Sequence, residues 1–305
     1  MENLITKAEG PSYGVAEGTP SIRLYSYEAI AKGTEHPESY VLPDELLPTI
    51  KNQGTVGACC GCAAASVLEV LNQLETGEKV EFSEGYIYGH NRTVVYKGMN
   101  PQSLVEIMKT YGSVPKKYFN RLYEQPEMTN NINNDPNKEA LEEIAKKYRI
   151  NSYVGFLKGN KEEMKKAIYE YKLPLFAVSN TYFRESHAIM IIGYTKDSFI
   201  IQNSWGESWK DGGRGEVPLS AINYAYLFLD EEFDINFKDV PKDAWYYKAV
   251  KECVFNGLMK GTSEDTFEPD APLTRAQAAQ LVVNLSKKID EIMDLKSNAK
   301  GDLNG

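Results

Sequence analysis

Three of the chain's four cysteines, Cys59, Cys60 and Cys62, fall within the stretch QGTVGACCGC, residues 53–62. Thiols so placed could be metal ligands, part of a disulfide framework, small core residues, or a nucleophile with two neighbours. A disulfide framework fits poorly, because near neighbours on one turn rarely reach the roughly 4.4–6.8 Å Cα separation and side-chain vectors a bridge needs. A metal held by Cys59 and Cys62, at i and i+3, together with His187 would lack a fourth ligand. A nucleophile needs a lowered pKa, a base, and donors aimed at a developing oxyanion. Cys59 stands where the loop QGTVGA gives way to a helical pattern, so unpaired backbone N–H groups and the helix dipole favour a thiolate there. Cys60 and Cys62 lie deeper, where that field fades, and read as small buried residues. Gly54 and Gly57 let the loop turn Gln53 back toward the thiol, and its side-chain amide is a neutral donor suited to an oxyanion.

A base must come from three histidines, His36, His90 and His187. His187 opens the apolar run HAIMIIGY, and the next such run ends at Gln202 with Asn203 at its tip. An asparagine carbonyl beside a histidine fixes its tautomer and orientation without adding charge. Alone, a histidine before an apolar strand would be structural; its order with Cys59 and Asn203 reverses that. His36 and His90 read as solvent or loop residues.

The elements that must carry these groups run helices first and strands later. From Cys59, the residues Val67, Leu68, Leu71 and Leu74 recur at helical spacing, and Gly77 suits a C-cap. Ser103–Tyr111 before Gly112, Asn137–Tyr148 and Lys161–Tyr171 are further helices. Leu173–Val178, His187–Tyr194 and Ser198–Gln202 are strands, and Gly212, Gly213 and Gly215 punctuate a loop. This order is α+β rather than alternating βαβ. Residues 1–45 form an irregular N-terminal extension, 46–235 a first domain and 236–288 a small helical module. Within the module, Ala244–Asn256 and Thr274–Leu285 are helices, with Thr274 a suitable N-cap. Residues 289–305 read as a frayed tail.

The 305 residues carry a net charge of −9, with 42% hydrophobic and 25% charged side chains. That balance argues against a nucleic-acid or anionic-membrane binder, which needs a cationic face. No stretch approaches the roughly 18 apolar residues of a membrane span, and the N-terminus has no apolar signal-peptide core.

Gln53-Gly54-Thr55-Val56-Gly57-Ala58-Cys59, then Ser186-His187-Ala188 before an apolar strand and Gly193-Tyr194, then Asn203-Ser204-Trp205-Gly206 with Trp209, resemble the papain-like cysteine proteases. His187 and Asn203 follow Cys59 at about the roughly 130–150-residue spacing of that family. The resemblance covers residues 40–232 and implies a two-lobed fold, a helical lobe plus a β-sheet lobe. It also implies roles. Cys59 would be nucleophile, His187 general base and acid, and Asn203 its orienter. Gln53 and the Cys59 N–H would form the oxyanion hole, and Trp205 would shield the Asn203–His187 hydrogen bond. The substrate would be a peptide or protein, with no metal or cofactor needed. Two departures stand out: Cys60 replaces the family's usual aromatic, and Val56 replaces a cysteine that commonly makes a disulfide.

Residues 236–288 resemble an S-layer homology module through Phe237-Lys238-Asp239-Val240, Trp245-Tyr246, Gly257-Leu258-Met259-Lys260-Gly261, Phe267-Glu268-Pro269 and Leu273-Thr274-Arg275-Ala276. That likeness implies binding of a bacterial secondary cell-wall polymer, with Asp239, Trp245 and Arg275 shaping the site. Arg275 would pair bidentately with a carboxylate. Gln277 stands where the family usually has glutamate. Relatives carry such modules in threes, so the single copy here implies self-association, most simply a trimer. A cell wall or cell surface is the expected location. The lack of a signal peptide leaves a phage virion, or cytoplasm before lysis, as the alternative. A catalytically impaired papain-like structural or binding protein is the competing function.

Overall fold

The computed structural model describes residues 27, 31–90, 98–120, 132, 135–157, 159–180, 182–183, 185–231, 234–263 and 265–300, the last ten by backbone alone. The described residues divide into two compact units, one within 33–231 and the other made of residues 27, 31–32 and those from 234 to 300.

The first unit is organised around helix α1, Cys59–Thr76, whose residues from Cys59 to Asn72 are all buried. A helix buried all round is a central helix. Its small residues are what allow this. A Cβ on Gly61 would come within 2.8 Å of the Glu84 carbonyl, so glycine lets α1 approach α2, Glu84–Gly89. Gly77 ends α1 with φ 75°, the left-handed C-cap. Ser83 caps α2 by accepting from the Tyr86 N–H, and Asn100 caps α3, Pro101–Thr110. The helical side is completed by α4, Lys138–Ala145.

Buried charge holds this side together. Lys51 Nζ lies 2.7 Å from Glu69 and 3.7 Å from Glu84, all three side chains nearly inaccessible. Lys116 reaches the other oxygen of Glu84 at 3.0 Å and Glu81 at 2.8 Å. Burial works to neutralise Lys51, but Glu69 and Glu84 outweigh it and hold the ammonium above its usual range.

The other side is a seven-stranded antiparallel sheet. Its strands are β1 Tyr40–Val41, β2 Ser152–Leu157, β3 Leu175–Ser179, β4 His187–Tyr194, β5 Ser198–Gln202, β6 Arg214–Pro218 and β7 Tyr224–Leu229. The order is β2-β7-β3-β4-β5-β6, with β1 added to β4. Helix α1 packs on β4, β3 and β7, while α5, Lys161–Tyr171, packs on β2 and β4. Every residue of β4 is consequently buried, which explains its unbroken apolar run.

The expected α+β order therefore holds, with local differences. The glycine-punctuated loop contributes β6, because pairing with β5 from Ser198↔Pro218 to Gln202↔Arg214 overrides weak strand propensity at this edge. Strands β2 and β7 pair over six residues although 67 or more positions separate their partners. His90 stands in the turn just past α2, as a loop residue would, but it is not open to solvent. It is 9% exposed, stacked on Tyr111 at 4.1 Å and edge-on to Tyr86.

The second unit has its own core of Ile235, Val240, Val250 and Phe255, flanked by Phe237, Tyr246, Tyr247, Val254 and Phe267. Helix α6 spans Tyr247–Phe255. Thr274 and Gln277 close a capping box at the start of α7: Gln277 N donates to Thr274 Oγ1, and Thr274 N donates to Gln277 Oε1. Gln277 thus does the local work glutamate would do. Helix α7 runs from Arg275 to Lys300, so the expected frayed tail is largely helix. Neither glycine nor proline interrupts it before Gly301. No helix among the described residues is long and apolar enough to cross a membrane.

Candidate active site

Four of the residues singled out by type and order meet in the first unit. Cys59 is the first residue of α1, preceded by Ala58, which offers no side-chain cap. The free N–H groups of that first turn remain available to a sulfur anion or an oxyanion. His187 is the first residue of β4, and Asn203 follows the last residue of β5. Pairing of β4 with β5 brings the two side chains to the same end of the sheet.

His187 Nε2 lies 2.7 Å from Asn203 Oδ1, which fixes the ring's orientation. Nδ1 is then the nitrogen left for Cys59. It is buried and has no hydrogen-bond partner of normal geometry among the described residues. The imidazole nonetheless lowers the pKa of the Cys59 thiol as a close neighbour. The contact is looser than a full hydrogen bond, as catalytic pairs often are before substrate tightens them.

The Cys59 thiol is held well below its ordinary range. The neighbouring Cys60 thiol, donating to it, is the largest cause; burial opposes; His187 and the Ala188 N–H add to the lowering. Cys60 has one proton and two acceptors in reach, the Cys59 sulfur and the Met99 carbonyl at 3.3 Å. Burial, and then Cys59, push the Cys60 thiol well above its ordinary range, so it stays protonated. Burial likewise raises Cys62. All four cysteines are free.

Aromatic rings enclose the histidine. The Trp205 ring lies 4.7 Å from that of His187, tilted by 32°, and Phe183 stands edge-on to both. Phe183 was missed in the sequence, since it belongs to no motif there. A hydrogen bond under such cover is less exchanged with water and electrostatically stronger.

Gln53 reaches the site through the turn at Gly54, whose φ is 57°. Its Oε1 accepts from Ser204 Oγ at 2.7 Å and its Nε2 donates to the Val56 carbonyl at 2.9 Å. One Nε2–H is left over. Backbone bonds join the two segments: Gln53 N donates to the Ser204 carbonyl, and Gly206 N to the Lys51 carbonyl.

The other singled-out residues belong to the second unit. Trp245 is 91% exposed, with Tyr246 edge-on to it. Asp239 accepts from the backbone N–H groups of Phe267 and Glu268, which bind the loop that carries Glu268 at φ 58°. Arg275 is the first residue of α7. Cys253 is partly buried on α6, and burial raises its thiol.

Comparison with known proteins agrees with this geometry. The family model for papain family cysteine proteases matches residues 42–217, and that for the S-layer homology domain matches 236–279. The chain is 37% identical over 102 residues to the surface-layer 125 kDa protein of Lysinibacillus sphaericus, a match to 31% of this chain and 9% of that protein. It is 24% identical over 220 residues to the probable cysteine protease RDL3 of Arabidopsis thaliana, covering 62% of this chain and 56% of that one. The chain thus spans about half the length of this plant relative. Xylellain, a cysteine protease from Xylella fastidiosa, shares the fold with a TM-score of 0.59 at 17% identity, over 74% of this chain and 98% of its own. A Carica candamarcensis cysteine protease solved with E-64 gives 0.51 at 16% identity, over 64% and 100%. Helices packed beside an antiparallel sheet, with Cys59 and His187 opening one element of each, are the papain-like arrangement, and the chain belongs to the papain family of cysteine proteases, followed by an S-layer homology domain.

Proposed function

We propose that the chain is a cysteine endopeptidase working through Cys59, His187 and Asn203, and that its S-layer homology module directs it to a bacterial cell wall. One observation carries the catalytic part. His187 is locked through Nε2 onto Asn203, leaving Nδ1 for a thiol whose pKa is lowered. In this reading the Cys59 thiolate attacks the scissile carbonyl. The developing oxyanion is held by the free Nε2–H of Gln53 and the Cys59 N–H. Protonated His187 then delivers its proton to the departing amine. The same ring, now neutral, deprotonates the water that cleaves the acyl-enzyme. Asn203 keeps the ring in plane without taking a proton, and Trp205 with Phe183 keeps water away from their bond.

The test is hydrolysis of fluorogenic peptides by the wild type and Cys59→Ala, with labelling by a thiol-directed epoxide. Turnover and labelling that both vanish in Cys59→Ala support the reading. A wild type that takes no label and cleaves nothing is instead a binding protein on a papain-like scaffold.

The wall-directed part rests on Trp245, exposed and able to stack on a sugar, and on Arg275, whose fork suits an acidic polymer. Asp239 supports that site by holding the Phe267–Glu268 loop. In this reading chains associate as trimers, and linked sites raise avidity. The exposed Val282, Leu285 and Ile289, spaced three and four apart along one side of α7, support this association. Light scattering of the intact chain and cosedimentation with purified walls test it: a monomer that binds walls tightly overturns the trimer.

A further inference from the structure

We infer that Ser204 is a positioning residue that aims the oxyanion donor of Gln53. This rests on the peptidase reading above and concerns how its oxyanion hole is built.

A glutamine amide presents similar shapes at its two ends, so nothing in its outline stops it from turning over. Turned over, Gln53 would offer a carbonyl oxygen to a developing negative charge, and a stabilising group would become a repelling one. The Val56 carbonyl excludes that orientation, and two contacts with Ser204 hold the residue in place. Ser204 Oγ, 2.7 Å from Oε1, donates to it. Nε2 donates one hydrogen to the Val56 carbonyl at 2.9 Å. Gln53 N donates to the Ser204 carbonyl at 2.8 Å and ties the two backbones. With Oε1 and one N–H occupied, only the second Nε2–H remains, and the amide's plane sets its direction.

Of these anchors, Val56 selects the nitrogen end, and Ser204 fixes where the oxygen end sits and so the direction of the free N–H. The Val56 carbonyl can only accept, so it takes the nitrogen; the Ser204 hydroxyl then donates to Oε1 and holds the far end of the amide. That hydroxyl is 151 positions from Gln53 in the chain and nearly inaccessible, with Ser204 5% exposed and Gln53 1% exposed. Ser204 also touches the other half of the site. Its backbone N–H donates to Asn203 Oδ1 at 2.7 Å, the atom that holds His187. One residue therefore references both the oxyanion donor and the base to the same backbone. Substituting its side chain alters only the first of these, since the bond to Asn203 is made by the main chain.

The experiment is a double-mutant cycle between Ser204→Ala and Gln53→Ala in the full chain, read as kcat and KM for a peptide substrate, with the rate of iodoacetamide alkylation of Cys59 alongside. Alkylation develops no oxyanion, so it reports thiol and base alone. Ser204→Ala is expected to lower kcat on the order of tenfold, less than removing the donor outright, with KM and alkylation unchanged. In the Gln53→Ala background it is expected to cost nothing more. A loss that recurs in that background, or an alkylation rate that falls in parallel with kcat, overturns the role. If Ser204→Ala does not fold, Ser204→Thr and Ser204→Val replace it: equal in shape, they differ by the hydroxyl, and Thr should turn over on the order of tenfold faster than Val. A Gln53→Ala enzyme with full kcat removes the oxyanion assignment itself, and a wild type without peptidase activity removes the reading beneath it.

Discussion

His187 Nε2 and Asn203 Oδ1 meet at 2.7 Å across the end of two paired strands, beneath the Trp205 ring. The bond takes one ring nitrogen out of play and leaves the other for a thiol. If this is the working arrangement, His187→Ala should be as damaging as Cys59→Ala. Asn203→Ala should be milder, since it frees the ring without removing it. Gln53→Ala should lower kcat by roughly 10²–10³-fold. Steady-state kinetics on one peptide substrate ranks the four; an active Cys59→Ala would place the nucleophile elsewhere.

Cys60 replaces an expected aromatic and is the largest influence holding the Cys59 thiol low. Removing its S–H should let the Cys59 pKa rise. The acid limb of kcat/KM then moves to higher pH in Cys60→Ala, while the plateau above it keeps most of its height. Cys62→Ala should shift neither. A pH–rate profile that is identical for Cys60→Ala and wild type would show that the Cys60 proton rests on the Met99 carbonyl instead.

Burial, with Lys138 nearby, lowers the pKa of His90 to about 4. Its unfolded value is about 6.5. As pH falls through that window the unfolded chain gains a proton that the folded chain refuses. Stability is therefore lost between about pH 6.5 and 4, by as much as about 3 kcal/mol. Denaturant melts of wild type and His90→Phe across this range should diverge in slope, the variant losing less. Parallel slopes would mean that His90 titrates normally in the folded state.

Lys51 neutralises two buried carboxylates. Lys51→Met should leave Glu69 and Glu84 facing each other across an apolar side chain, at a cost of about 3–5 kcal/mol at neutral pH. Added Glu69→Gln should recover part of it. A Lys51→Met variant with the wild-type melting temperature would show that these charges reach water.

Much of this was readable along the chain. Residue types and order marked Cys59, His187 and Asn203, because a thiol at a helix start and a histidine at a strand start are local features. The bounds of α5, β4 and β5 were local too, set by their own periodicity and flanking turns. Thr274 at the start of α7 belongs to the same class, since a cap is made within one turn.

What the sequence could not decide rests on partners far away in it. β6 is a strand because β5 lies beside it, and β2 because β7 does. His90 looks like any polar residue until Tyr86 and Tyr111 close around it. Phe183 and Ser204 acquire roles only when their neighbours arrive: Trp205 and His187 for the one, Gln53 for the other. A single chain determines which groups are able to do chemistry, since that follows from side-chain identity and local backbone. Their distances and burial, and which end of an amide faces the substrate, come from contacts that exist only once the helices and the sheet have packed.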